Sequence, residues 1–326
     1  MTTLVTGASG FIGSAVVRTL VARGRRVRCM VLPGESAVEL ERLGVDIVRA
    51  DVVDRAAVGR AMQGCRVVYH LAALYKLWAP DPRRIYEVNV EGSRNVLFAA
   101  QHEGVERVVY TSSVAAVGYH QGRLADETTA FNQWSEGNDY IRSKWLSERD
   151  AMGFAAEGLP IVVVNPSFPF GVGDAAPTPT GQTIIEFLSG RLPGYIRGGL
   201  NVVDVDDCAE AHLLAEDRGR IGERYILGSH NVTHRDFVRA IARVGGLKRP
   251  LVPVPASLMA GVAWCLERGA RVRRVEPPYT YKAVRFASRR LWFDVSKATS
   301  ELGMTHAPLE ETIERSVRWF RDHGYA

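Results

Sequence analysis

The feature that most constrains the fold is a glycine set near the start of the chain, Thr6-Gly7-Ala8-Ser9-Gly10-Phe11-Ile12-Gly13. It stands directly after the short apolar run Leu4-Val5 and directly before a helical apolar pattern, Ala15, Val16, Val17, Leu20 and Val21. That placement reads as strand, tight turn and helix. Glycines let the backbone turn sharply and come close to a ligand, while the helix start offers unpaired N–H groups and a favourable dipole to an anion. Gly7, Gly10, Phe11, Ile12 and Gly13 are therefore candidate contacts to the pyrophosphate of a dinucleotide. The spacing is GxxGxxG, one residue wider at the first gap than GxGxxG, and a glycine set alone is only a turn signal. Its position at the first strand–helix junction favours the functional reading.

The alternation continues with strand 27–31 and helix 37–43, then strand 46–48 and helix 56–62. Strand 67–71 precedes a helix around 86–102, strand 108–112 precedes the helix around Tyr140, and strand 161–164 closes the series. Nearly continuous apolar strands in repeated strand–helix units specify an α/β fold, a doubly wound parallel sheet covered on both faces with right-handed crossovers. After Asn165-Pro166 the texture changes to Pro166-Ser167-Phe168-Pro169-Phe170-Gly171 through Pro177-Thr178-Pro179-Thr180-Gly181. This stretch is expected to be irregular. It follows the carboxyl end of a strand, where doubly wound folds bind ligands, so a substrate loop is expected there. Helical patterns follow at 184–188, 208–215, 235–244, 257–266 and 309–321. Residues 1–165 are expected to form the dinucleotide-binding domain, with 203–228 returning to it, and 166–202 with 229–326 a smaller C-terminal substrate lobe.

With 326 residues, 46% hydrophobic and 24% charged, the chain can bury a large core. A formal charge of +5 and a pI near 9.1 raise nucleic acid and anionic membranes as partners. The arginines are scattered until Arg268, Arg271, Arg273 and Arg274, with no aromatic platform among them, so no nucleic acid is expected. The apolar helix pattern 255–266 before that cluster is shorter than the ~20 residues of a membrane span. It suits a peripheral membrane contact, against the stronger alternative of ordinary core packing. Cys29, Cys65, Cys208 and Cys265 lie far apart without CxxC pairing, which points to neither a disulfide framework nor a metal site, and a cytoplasmic location is expected. The first strand is expected within a few residues of Met1, so no signal peptide is expected.

Tyr140-Ile141-Arg142-Ser143-Lys144 places a phenol and an ammonium one helical turn apart. A phenol, with a free pKa of about 10, becomes a usable base only when a neighbouring cation stabilises the phenolate. The pair alone is weak, since Tyr and Lys meet at this spacing on many solvated helices. The glycine loop and the serine pair Ser112-Ser113 strengthen it.

Further marks are Asp51-Val52, His70-Leu71-Ala72-Ala73, Asn89-Val90-Glu91-Gly92, Thr111-Ser112-Ser113 and Asn165-Pro166. With the glycine loop and Tyr140/Lys144 they make the chain resemble the extended short-chain dehydrogenase/reductases (NAD-dependent epimerase/dehydratase family) over nearly its whole length. Within that family it is similar to the dihydroflavonol-reductase-like branch. It is more closely similar to bacterial hopanoid-associated sugar epimerases, through Leu77-Trp78-Ala79-Pro80-Asp81-Pro82, Pro177-Thr178-Pro179-Thr180-Gly181 and Gly219-Arg220-Ile221-Gly222-Glu223-Arg224-Tyr225-Ile226-Leu227-Gly228. The resemblance implies a Rossmann sheet with a smaller C-terminal α/β lobe, and hopanoid lipid side-chain biosynthesis more firmly than one reaction.

The resemblance also implies roles. Tyr140 would be the general acid or base, and Lys144 would hold the nicotinamide ribose and lower the tyrosine pKa. Ser113 would orient the substrate oxygen, with Ser112 its rival, and Asn89 would support an active-site water network. Asp51 would contact the adenine, against the plainer role of a helix N-cap. Val52, Leu71, Ala72, Ala73, Pro166 and Ser167 are further cofactor-binding candidates from the same motifs.

Where NAD-preferring members carry an acid at the end of the second strand, and NADP-preferring relatives an arginine, stand Val31 and Leu32. Glu35 lies further along the loop and Arg28 is expected on the wrong face. With no acid to repel a 2′-phosphate, the cofactor is NADP or NAD with a slight lean to NADP, and Leu32 is the candidate beside the 2′ position. The expected function is an oxidoreductase or sugar epimerase for a small molecule, lipid-linked if the hopanoid resemblance extends to the substrate, and a homodimer or a monomer fits equally. Two other classes are a non-catalytic dinucleotide sensor, which generally lacks the Tyr–Lys pair, and a nucleic-acid or membrane-binding module.

Overall fold

The computed structural model describes residues 2–79, 81–135, 137–192, 194–248, 251–273, 277 and 279–326, without the side chains of 271–273. The first half runs β1 (Thr2–Thr6), α1 (Phe11–Ala22), β2 (Arg26–Val31), α2 (Val38–Arg42), β3 (Asp46–Arg49), α3 (Arg55–Met62) and β4 (Cys65–His70). There follow α4 (Arg83–Tyr86), a π-helical turn (Glu87–Gly92), α5 (Ser93–Glu103), β5 (Arg107–Thr111), α6 (Asp139–Ala156) and β6 (Ile161–Pro166). The second half runs β7 (Phe168–Phe170), α7 (Pro179–Leu188), β8 (Gly194–Ile196), β9 (Gly199–Asp204), α8 (Val205–Arg218), β10 (Arg224–Leu227) and β11 (His230–Thr233). It ends with α9 (His234–Gly245), β12 (Val252–Val254), α10 (Ala256–Arg273), α11 (Tyr281–Ala287) and α12 (Leu309–Asp322).

Seven parallel strands form one sheet in the order β10-β6-β5-β4-β1-β2-β3. Successive strand residues point to opposite faces, and both faces are buried. Val5, Val109 and Val162 pack beneath α1 and α8, while their neighbours Leu4, Val108 and Val163 pack with Val96, Leu97 and Ala151 from α5 and α6. Both neighbours of every such pair must be apolar, which is why these strands read as continuous apolar runs. The chain winds outward from β1 in one direction and from β4 in the other, so the loops after β1 and β4 part at the carboxyl edge. This crevice is where doubly wound sheets hold ligands.

The proline- and glycine-rich stretch is more regular than the sequence suggests. Phe168–Phe170 is a strand beside β9, and Pro179 opens α7. A proline in the first helical turn loses no hydrogen bond, and the Thr178 side chain caps the turn by accepting from Gly181 N. Likewise the helix expected across 86–102 is interrupted by the π-turn, which seats Asn89 inward.

The remaining elements build a second core of Phe170, Ile184, Phe187, Phe237, Ile241, Ile313, Val317 and Phe320, against the β11-β9-β7 sheet. Helix α10 packs on α11 through Ala260, Ala263 and Val284 and leaves Leu258, Val262, Trp264 and Leu266 exposed. The Arg268 guanidinium lies 4.6 Å from the Trp264 ring centre. The side chains of Arg271 and Arg273, and all of Arg274, fall outside the described residues. Among the described residues no helix is long and apolar enough to cross a membrane.

Candidate active site

A cavity of about 440 Å³ opens at the sheet's switch point, from Gly7, Ser9, Gly10, Phe11, Ile12 and Gly13 on one side to Thr178 and Thr180 on the other. The glycines at its mouth serve different ends. Gly7 has φ +67°, and a Cβ there would stand 2.7 Å from the Ala72 amide nitrogen; a Cβ on Gly13 would stand 2.0 Å from the Gly7 oxygen. Both positions are set by packing of the loop itself. Gly10, at φ −71° and ψ 168°, is the N-cap of α1, and a Cβ there meets only the Gly7 oxygen at 3.2 Å. The rest of its surroundings is cavity. No side chain caps the first turn of α1, so its N–H groups are free to receive an anion.

Helix α6 brings the tyrosine and the lysine to the same cavity. Asn138 starts it by accepting from Ile141 N, and Ser143, Lys144, Ser147 and Glu148 then form a polar stripe that is buried. Buried polar groups need partners. The Ser143 hydroxyl donates to the Tyr140 carbonyl at 2.8 Å, and Lys144 Nζ to the Thr111 carbonyl at 2.9 Å. Glu148 accepts from Asn165 Nδ2 at 2.6 Å and pairs with Arg224 at 2.7 Å. Burial pulls the Lys144 ammonium down to about 8, against the opposing pull of Glu148 one turn on. Burial pushes the Tyr140 phenol up to about 12, with a hydrogen bond to Ser113 acting the other way. The phenol is thus a proton donor at neutral pH.

Ser112 and Ser113 both line the cavity. Ser113 Oγ accepts from Ala115 N at 3.1 Å and interacts with the Tyr140 phenol. The Ser112 and Ser167 hydroxyls are buried without a hydrogen-bond partner among the described residues. Two orphaned hydroxyls, an uncapped helix start and a clear space over Gly10 fit a phosphate-bearing cofactor with polar groups. Leu71, Ala73 and Pro166 also line the cavity.

Other candidates stand apart from it. Asn89 does not line the cavity. Its amide donates to the Leu74 carbonyl and the Ser143 hydroxyl and accepts from Leu74 N, clamping the loop after β4 to α6. Asp51 pairs with Arg84 and accepts from Val53 N. It is not a helix N-cap, since Asp54 caps α3 by accepting from Ala57 N. Val52 is buried beneath Gly92, and Ala72 closes on Gly7 by its backbone. Leu32 is exposed, and Arg28 is turned to Asp46 at 2.7 Å. Glu35 is nearer than its place in the sequence suggests, because the loop after β2 folds back and Ser9 Oγ donates to its carboxylate at 2.6 Å.

Sequence reasoning missed Tyr75, Leu77, Asp174 and Phe286, all of which line the cavity. The Tyr75 ring lies 4.6 Å from that of Tyr140. A lone acid in the otherwise apolar stretch Phe170-Gly171-Val172-Gly173-Asp174-Ala175-Ala176-Pro177 was the one available signal for Asp174.

Fold and cavity together define a dinucleotide-binding α/β enzyme whose cavity is lined by a phenol and an ammonium, Tyr140 and Lys144. The chain belongs to the NAD dependent epimerase/dehydratase family, whose model matches residues 3–228. It is 38% identical to a putative dihydroflavonol 4-reductase of Synechocystis sp., over 98% of this chain and 95% of that one. It is 34% identical to sterol demethylase protein B of Methylococcus capsulatus, over 99% of each chain. The structure of a nucleoside-diphosphate-sugar epimerase from Pseudomonas aeruginosa superposes with a TM-score of 0.82 at 28% identity, over 100% of this chain and 99% of that one. The protein is an NAD(P)-dependent oxidoreductase or epimerase.

Proposed function

We propose that the protein transfers hydride between a nicotinamide dinucleotide and the carbonyl or secondary-alcohol carbon of a neutral, lipophilic small molecule. The observation that carries this reading is the make-up of the cavity. Tyr75, Leu77, Phe168, Phe286 and Pro177 give it aromatic and aliphatic walls, and its only charged lining residues among those described are Lys144 and Asp174. A nucleotide diphosphate on the substrate would call for further cations. The reductase name of the Synechocystis relative agrees with this reading. Hydroxylated hopanoid side chains, implied by the sequence resemblance, fall in the same substrate class.

In this reading the uncapped start of α1 and Gly10 receive the pyrophosphate, Lys144 holds the nicotinamide ribose, and Ser112 and Ser167 offer further hydrogen bonds. Bound there, the nicotinamide supplies or takes up the hydride. As the carbonyl carbon gains it, the π electrons move to oxygen and Tyr140 delivers its proton to that oxygen, with Ser113 orienting it. The Lys144 ammonium offsets the phenolate that remains. In the oxidative direction each transfer reverses. The test is net cofactor turnover with ketones and secondary alcohols. Accumulation of oxidised or reduced cofactor supports the reading, whereas inversion of a sugar carbon with the cofactor retained would replace it by an epimerase.

A lysine lowered to about 8 is cationic below that pH and neutral above it. kcat/KM should therefore fall as pH rises through about 8. Lys144→Met should lose this limb, bind dinucleotide more weakly and lose on the order of 10²-fold in rate. A limb unchanged in the variant would assign it to another group.

For the cofactor, what supports NAD is the Glu35 carboxylate beside Ser9, an acid at the cavity mouth that would meet ribose hydroxyls and repel a 2′-phosphate. The lean to NADP rests on the lack of such an acid and on the arginine that the resembling branch tends to carry. Glu35→Gln with Leu32→Arg should raise the NADP-to-NAD ratio of kcat/KM by about tenfold or more, 1.4 kcal/mol being one decade. An unmoved ratio would place both residues away from the 2′ position.

A further inference from the structure

A carboxylate that the proton-transfer chemistry does not use faces the same cavity. Asp174 is 2% exposed, and both its oxygens are held by Thr178: the amide nitrogen reaches Oδ1 at 3.0 Å and Oδ2 at 3.1 Å, and the hydroxyl reaches Oδ2 at 2.8 Å. By accepting from the Thr178 hydroxyl it orients the cap of α7, which accepts in turn from Gly181 N, and it still lines the cavity. Neighbouring glycines make room for it. Gly173 has φ +93°, and a Cβ on Gly181 would stand 2.0 Å from Oδ2. The sequence run Pro177-Thr178-Pro179-Thr180-Gly181 is thus the cradle of one acid.

Two donors from Thr178 leave part of an ionised carboxylate's roughly four acceptor positions unused. Among the described side chains no cation pairs with Asp174, and burial pushes its carboxyl up to about 6, so the ionised form predominates at pH 7. A buried carboxylate with acceptor positions left open can take a further donor from a ligand. Asp174 lines the same cavity as Tyr75, whose ring lies 4.6 Å from that of Tyr140.

We propose that Asp174 is a substrate-recognition carboxylate, accepting a hydrogen bond from a hydroxyl of a neutral substrate and turning away substrates that bring an anion to that wall. The proposal rests on the hydride-transfer reading for what the substrate is, but not for whether it binds. Substrates would accordingly be lipophilic at most positions and carry a free hydroxyl away from the reacting carbon.

The test uses the full chain with bound nicotinamide dinucleotide and four probes: acetophenone and its 4′-hydroxy, 4′-methoxy and 4′-carboxylate derivatives. The wild-type protein should favour the hydroxy ketone over acetophenone and discriminate against the carboxylate. Asp174→Asn keeps one acceptor oxygen for the Thr178 hydroxyl and replaces the other acceptor by an NH₂ donor. It should lower the hydroxy-to-unsubstituted ratio of kcat/KM by about tenfold or more, mainly through KM, and admit the methoxy and carboxylate probes better. Asp174→Leu should erase the preference altogether, and if it does not fold, the near-isosteric Asn variant decides.

Calorimetric binding of the same probes separates the two readings. Binding that follows residue 174 without turnover of any probe keeps the recognition site and removes the hydride-transfer assignment for these ketones. Ratios that are the same in wild type and in folded variants, by turnover and by binding, overturn the proposal.

Discussion

Tyr140→Phe is expected to lower kcat by about 10²–10⁴-fold, the usual worth of a positioned proton donor, while dinucleotide affinity stays within about twofold. The ring would remain, with its centre 4.6 Å from that of Tyr75, so the wall of the cavity keeps its shape. Only the hydroxyl is lost. In the wild type, burial holds that phenol near 12 and therefore protonated at neutral pH, ready to donate as negative charge develops on the substrate oxygen. Ser113 and Lys144 remain beside the vacancy, but a serine hydroxyl is a weaker acid than a phenol and the Lys144 ammonium is bonded to the Thr111 carbonyl. Single-turnover hydride transfer monitors the chemical step, and titration of bound cofactor monitors affinity. Turnover at the wild-type rate would remove Tyr140 from the chemistry.

What could be read in the sequence follows from how local its cause is. Strand–helix alternation was legible because both sheet faces are buried, forcing adjacent residues such as Leu4 and Val5 to be apolar together. The glycine loop was legible because backbone conformation at Gly7 and close approach at Gly13 admit no side chain. Tyr140 and Lys144 share a helix face by spacing alone, and the fold carries that face to the cavity. Ser112 and Ser113 arrive there because β5 ends at the same edge as β1.

The features whose setting the sequence does not show depend on tertiary closure. Glu35 looks remote from the glycine loop until the segment after β2 folds back to Ser9. Asp51 matches a cofactor motif, yet in three dimensions it meets Arg84 from α4. Asp174 acquires significance only when the Thr178 cap and Gly181 fix it in the cavity wall. Prolines break most helices, but Pro179 sits at the one helical turn that tolerates them. The three- and four-residue strands β7, β8, β11 and β12 are too short for a period to emerge from them.

Gly10→Val should separate cofactor binding from folding. At φ −71° and ψ 168° the backbone of Gly10 is open to any L residue, and a Cβ there has only the Gly7 oxygen near it, at 3.2 Å. Replacing glycine at an N-cap by an aliphatic residue costs on the order of 1 kcal/mol, which leaves the fold intact. The isopropyl group then has nowhere to go but the space over the start of α1, where the pyrophosphate would lie. Dinucleotide affinity should fall by at least about 100-fold, roughly 2.7 kcal/mol, with a melting temperature close to wild type. Gly13→Val provides the contrast: its Cβ would stand 2.0 Å from the Gly7 oxygen, so the β1–α1 junction itself must give way and folding should fail. The two glycines thus divide one motif into a ligand-facing and a packing-facing half. Gly10→Val that titrates with NAD and NADP like wild type would reduce the loop to a turn and empty the dinucleotide site of its main support.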